Sequence, residues 1–134
     1  MTTPSPAAGR RLYDASYDGD LERVKRILSA GHVDINYRGG WNSRTPVMAA
    51  ARYGHRDVVE FLVGRGADLS LVDSDGSNAL HWASIGDLGT VKLILDLDVV
   101  DVNVINNYGY TAAYLARINR HQRVLDLLVS RGAS

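Results

Sequence analysis

The side chains able to do chemistry are few and scattered. The four histidines, His32, His55, His81 and His121, stand at least 23 residues apart. No two share the four-residue helical spacing that presents a pair of imidazoles to one metal ion. Asp73-Ser74-Asp75-Gly76 opens like a calcium loop, but position twelve, where a bidentate Glu is needed, is Ser84. Asp and Gly are also ordinary turn formers, and a tight turn is the expectation here. Gly64-Arg65-Gly66 reads as a helix end, because a phosphate cradle needs its glycines ahead of a helix. Asp96, Asp98 and Asp101 have no His or Lys motif beside them and read as solvated surface. The chain has no cysteine, which excludes disulfides, thiolate nucleophiles and cysteine-held zinc together. No catalytic residue, metal site or cofactor is expected, and the chain does not read as an enzyme.

Composition narrows the partner. The 134 residues carry 15 basic and 15 acidic side chains, for a formal charge of zero. A nucleic-acid binder shows a basic excess or stripe, and none is present. No apolar run approaches the ~20 residues that cross a bilayer. The expected partner is therefore another protein, with no nucleic acid and no membrane. Residues 1–9 are small and polar with Pro4 and Pro6, and read as a disordered leader ahead of one domain over residues 10–134. They lack the charged-then-apolar order of a signal peptide. A cysteine-free chain of this kind suits the cytoplasm, the nucleus or both.

The elements that position these residues recur. Thr45, Asn78 and Thr111 are 33 residues apart, as are Ala50, Ala83 and Ala116; Ala15 precedes Ala50 by 35. Gly19 to Leu28 and Gly86 to Leu95 are identical at seven of ten positions. Four units follow, about 10–37, 38–72, 73–105 and 106–134, with the length differences confined to turns. Each unit reads as two short helices and a loop. Thr45 caps a helix whose first position is Pro46, Val47 to Tyr53 are alanine-rich, and Gly54-His55 turns the chain. A second helix from Arg56 to Arg65 carries Val58, Val59, Phe61, Leu62 and Val63, and Gly66 ends it. Asp98 stands where glycine closes the other units. Helices this short are unstable alone, so the units must stack.

Thr45-Pro46-Val47-Met48-Ala49-Ala50-Ala51, Gly54-His55, Val58-Val59-Glu60-Phe61-Leu62-Val63 and Gly66-Ala67-Asp68 closely resemble the ankyrin repeat. Asp75-Gly76 through Leu80-His81 and Tyr108-Gly109-Tyr110-Thr111 repeat the opening of that pattern. No unit has the whole Thr-Pro-Leu-His, and only His81 holds its histidine position. The resemblance, over about residues 11–134, implies an all-α solenoid of four stacked helix–turn–helix units joined by β-hairpin-like loops. It also gives His81 and His55 scaffold roles, while His32 and His121 read as solvated.

The resemblance further implies that loop tips and inner helices line a concave binding groove. The partner-binding residues expected there are Trp41, Arg44, Arg52, Tyr53, Asp75, Ile85, Tyr108, Tyr110 and Ile118. Tyr17 joins them from the first unit; Trp82 reads as packing between units. Five of the ten aromatic residues fall in this set, and Trp and Tyr are frequent binding hot spots. The implied function is a scaffold, adaptor or inhibitor that binds a partner protein, alone or as the N-terminal targeting domain of a larger protein. A separate reading makes the chain a substrate. Asn36 and Asn103, within Asp34-Ile35-Asn36 and Asp101-Val102-Asn103, resemble sites that asparaginyl hydroxylases modify in ankyrin repeats.

The two ends differ. Arg23 and Arg26 replace the apolar residues that the second unit has at Val58 and Phe61, as suits a terminal unit facing water. The last unit keeps Leu125 and Val129, an apolar edge for a further repeat or a partner contact.

Overall fold

A computed structural model describes residues 3–134. It contains eight helices in four antiparallel pairs and, among the described residues, no strand. The inner helices are α1 (Pro6–Asp18), α3 (Pro46–Arg52), α5 (Ala79–Ala83) and α7 (Ala112–Ile118). The outer ones are α2 (Leu21–Ala30), α4 (Arg56–Gly64), α6 (Leu88–Asp96) and α8 (Gln122–Ser130). Inner packs on inner and outer on outer along the stack. The hairpin character of the loops is limited to turns and one isolated bridge, Gly39 with Arg44.

All four inner helices start alike. The side chains of Ser5, Thr45, Asn78 and Thr111 accept the N–H three residues on, from Ala8, Met48, His81 and Tyr114. Ala15, Ala50, Ala83 and Ala116 are fully buried where these helices meet. Val24, Val58, Val59, Leu62, Val91, Ile94 and Leu128 close the core between the inner and outer rows. The outer helices start in two ways. Asp20 and Asp87 cap α2 and α6 through the N–H groups of Arg23 and Thr90. His55 and His121 make no side-chain cap for α4 and α8. Each ring instead reaches the preceding unit, His55 Nε2 to the Tyr17 carbonyl at 2.9 Å and His121 Nε2 to the Ile85 carbonyl at 3.0 Å. His121 is thus half-buried and bonded, which corrects its expected solvated role.

The disordered leader also needs correction. Residues 6–9 form the first turn of α1, and only residues 1–2 lie outside the described part. Ser5-Pro6 is the same cap-plus-proline start as Thr45-Pro46, and the Ser5 N–H donates to the His32 carbonyl at 2.7 Å. Gly9 explains why this turn packs. A Cβ there would collide with Cβ, Cγ and Cδ1 of Tyr37, whose ring is wedged between Gly9 and Gly39. The Tyr37 Cβ is fixed to the backbone, and Gly39 confines the far end of the ring, so the tyrosine has little room to turn aside.

Gly9→Ala tests this fit. In an open helix the change adds about 1 kcal/mol. Here overpacking costs about 1–3 kcal/mol and opposes it. A net loss of stability in urea denaturation is expected, and a more stable protein would refute the wedge.

Candidate partner-binding surface

Asp73 organises the centre of this surface. Its side chain is nearly inaccessible, with Oδ1 accepting the N–H groups of Asp75 at 2.9 Å and Ser77 at 3.0 Å. Oδ2 accepts the Trp82 indole N–H at 3.0 Å and faces Arg44 Nε at 3.4 Å. Both oxygens therefore serve the loop and groove floor, as turn chemistry requires. The Arg44 guanidinium lies 4.2 Å from the Trp82 ring centre, and that of Arg52 lies 6.0 Å from the same ring and 5.1 Å from Tyr53. Arg52 has no carboxylate partner among the described residues.

Two tyrosine rows flank this centre. On one side Tyr13, Tyr17 and Tyr53 follow one another, at 6.5 Å and 4.6 Å between ring centres. Burial raises the Tyr13 phenol above its ordinary pKa against the pull of Arg44, and a hydrogen bond with Tyr53 raises Tyr17. On the other side Tyr108 stacks on Tyr110 at 5.8 Å, and Tyr110 meets Tyr114 at 4.6 Å. The Tyr108 hydroxyl reaches Asp75 at 3.4 Å. His81 places this second row, since its Nδ1 accepts the Asn78 N–H and its Nε2 donates to the Tyr110 carbonyl at 3.0 Å.

The expected residues thus fall into three groups. Arg44, Arg52 and Tyr53 converge on or beside Trp82, while Asp75, Tyr108 and Tyr110 form the second group. Ile85 and Ile118 lie at the ends of α5 and α7, half-buried and 52% exposed. Trp41 stands apart, 88% exposed, walling a pocket of about 220 Å³ with Arg10, Tyr13 and Tyr37 rather than meeting Tyr53. Sequence reasoning assigned Trp82 to packing; its ring is also the floor that both arginines share. The signal for this was the tryptophan's register position in α5, partly buried against the core and open to the groove beside it.

The chain matches the family model described as ankyrin repeats, three copies, over residues 12–104 and 65–134. It belongs to the ankyrin-repeat family. It is 33% identical over 128 residues to palmitoyltransferase AKR1 of Lachancea kluyveri, covering 92% of this chain and 17% of that protein. It is 30% identical over 117 residues to ankyrin repeat protein nuc-2 of Neurospora crassa, covering 87% and 11%. It is 39% identical over 77 residues to ankyrin repeat and SOCS box protein 1 of Mus musculus, covering 53% and 23%. The chain spans less than a quarter of the length of each of these relatives.

Away from the groove, both asparagines singled out by sequence form hydrogen bonds within the ankyrin loops. Asn36 Oδ1 accepts the Asp68 N–H at 2.9 Å, and Asn103 takes the Ser134 N–H and donates to the Gly132 carbonyl, each at 3.1 Å. Each amide ties its loop to the end of the next unit. At the last ankyrin unit Val129 is 56% exposed, while Leu125 is partly covered by the core. Three exposed or half-exposed carboxylates have lowered pKa values. Ser70 hydrogen bonds lower Asp68, and Lys92 and Arg131 lower Asp96. For Asp87, burial pulls upward but Thr90 and Arg56 outweigh it.

Removing the Asp73 carboxylate orphans two loop N–H groups, the indole N–H and Arg44. Asp73→Ala is expected to cost about 3 kcal/mol in urea denaturation, and a loss under about 1 kcal/mol would contradict this role. His81 predicts a pH dependence. Burial holds its pKa below the ordinary 6.5, although the Tyr110 and Val104 backbone groups pull upward. The unfolded chain therefore binds the extra proton first. Stability is full above 6.5 and falls as pH drops from there through the lower folded value. The carboxylates lose theirs only below 3.8, in a separate window. His81→Gln should flatten the slope between about pH 7 and 5; an unchanged slope would assign it elsewhere.

Proposed function

We propose that this ankyrin domain binds a partner protein through the face made by its loop tips and inner helices, as a scaffold, adaptor or inhibitor. The observation that carries this reading is Trp41, whose indole is 88% exposed and is in neither aromatic row. Tyr53 and Tyr108 are also substantially exposed, at 46% and 64%, although each packs on a neighbouring tyrosine. Rings held by one another present area at low entropic cost, which suits recognition. Ankyrin repeats in general mediate protein–protein contacts, and one relative's name couples them to a SOCS box. The palmitoyltransferase name belongs to a protein of which this chain matches 17%, and the reading here is binding without catalysis. The same face would serve a chain acting alone in the cytoplasm or nucleus and a recognition domain within a longer protein.

The test compares partners captured from lysate by the intact chain, by Trp41→Ala and by Glu60→Ala on the outer face. Trp41→Ala should leave the melting temperature within about 2 °C, because surface changes away from packed features cost little. It should also lose partners that Glu60→Ala retains. Equal capture by all three would reject the proposed face.

A further inference from the structure

Arg52 and Trp82 carry the chemistry of the partner one step further. Arg44 and Arg52 share the Trp82 ring, but only Arg44 is answered by a carboxylate, that of Asp73. Arg52 is held across Trp82 and Tyr53 with its donors free of any carboxylate among the described residues. A planar guanidinium already ordered on aromatic rings accepts a carboxylate through two parallel N–H bonds at little further entropic cost. Asp73, on the adjoining loop tip, is taken up by Arg44 and the Trp82 indole, and Asp75 beside it receives the Tyr108 hydroxyl. A basic partner residue would meet the uncompensated charge of Arg52 here.

The next two units change character. Ile85 follows Arg52 in register: a Cβ at Gly86 would sit 3.0 Å from the Arg52 carbonyl oxygen, and the Ile85 carbonyl takes the His121 ring. Beyond it come Leu115, half-buried, and Ile118, 52% exposed. The groove therefore runs from a cation on a tryptophan floor to an aliphatic stretch. Resting on the proposed binding face, we infer that the groove takes an extended protein segment carrying an Asp or Glu followed by branched aliphatic residues. The carboxylate sits on Arg52 and the aliphatic side chains lie on Ile85, Leu115 and Ile118. Helices packed side by side are about 9 Å apart. An extended chain advances about 3.3 Å per residue. The acidic and first aliphatic residues are thus about three positions apart.

The experiment pans a displayed library of random 12-residue peptides against the whole chain and against Arg52→Gln. Arg52 makes no hydrogen bond to another residue's side chain among the described residues, and circular dichroism checks that the variant stays folded. On the intact chain the enriched peptides should carry Asp or Glu about three positions from Leu, Ile or Val. A selected synthetic peptide should bind Arg52→Gln about tenfold or more weakly, with Arg52→Lys between the two. Enrichment without acidic preference, or equal affinity for Arg52→Gln, overturns the inference. If such peptides are still lost on Tyr53→Ala or Tyr110→Ala, the binding face stands and only its chemistry is wrong. If they ignore those variants too, both readings fall.

Discussion

Four alanines set the spacing on which everything else depends. Ala15, Ala50, Ala83 and Ala116 occupy the same place in successive inner helices and are fully buried between them. A methyl side chain lets backbones approach at the short end of helix packing distances. The approach matters because α5 is five residues long and α3 and α7 are seven each, well below the length at which a helix persists alone. These helices exist because their neighbours are within contact. A larger side chain at position 83 would push α5 from α3 and α7 at once, and carry the Trp82 floor with it.

Polar groups then fix the register that the alanines permit. The Ser74 N–H donates to the Asn42 carbonyl and the Asn107 N–H to the Asp75 carbonyl, each at 2.8 Å, so loop tips are joined one unit to the next. The His55 ring joins the second unit to the first, and the His81 and His121 rings both join the third and fourth, each to a carbonyl oxygen. Backbone, caps and histidines therefore hold much of the stack, joined at the groove by Arg44 with Asp73 and Tyr108 with Asp75. Asp14, Ala49, Trp82 and Leu115 share one register position with four unlike chemistries. A scaffold that fixes position by backbone and leaves such a row to vary is suited to changing partners without refolding.

The repeated parts of this arrangement were legible in the sequence because each is a local rule written several times. Spacing of 33 residues, Thr or Asn at the cap, alanine in the close contact and glycine at helix ends all recur. His81, which occurs in one unit alone, was legible through the resemblance to the ankyrin motif. What escaped was either unrepeated or relational. The start of α1 at Pro6 hides behind a composition typical of a loose terminus, although Ser5-Pro6 repeats the Thr45-Pro46 start. The bond from His121 depends on which carbonyl the preceding turn presents: Ile85 holds the register position of Tyr17, the acceptor for His55, and Arg120 in place of Gly54 masks the repeated turn. Aromatic content at the loop tips was visible; which rings face each other was not. Tyr53 pairs with Tyr17 and leaves Trp41 alone, a choice made by side-chain direction rather than by spacing.

The two ends of the stack follow from the same register. Arg23 and Arg26 place charge on the outer flank of α2, so that end already faces water with polar groups. At the other end Arg117 stands where the second unit has Ala51, which is fully buried against its neighbour. The Arg117 guanidinium is exposed and lies 5.5 Å from the Tyr114 ring centre, shielding part of the α7 face, while Ile118 and Val129 remain open beside it. A chain that stacked here as the third unit stacks on the second would bury that guanidinium. Burying an unpaired charge costs more than the adjoining isoleucine and valine return, since each contributes only about 2 kcal/mol when fully covered. Whatever covers this edge must therefore bring an acceptor to Arg117, and an apolar surface alone would be rejected.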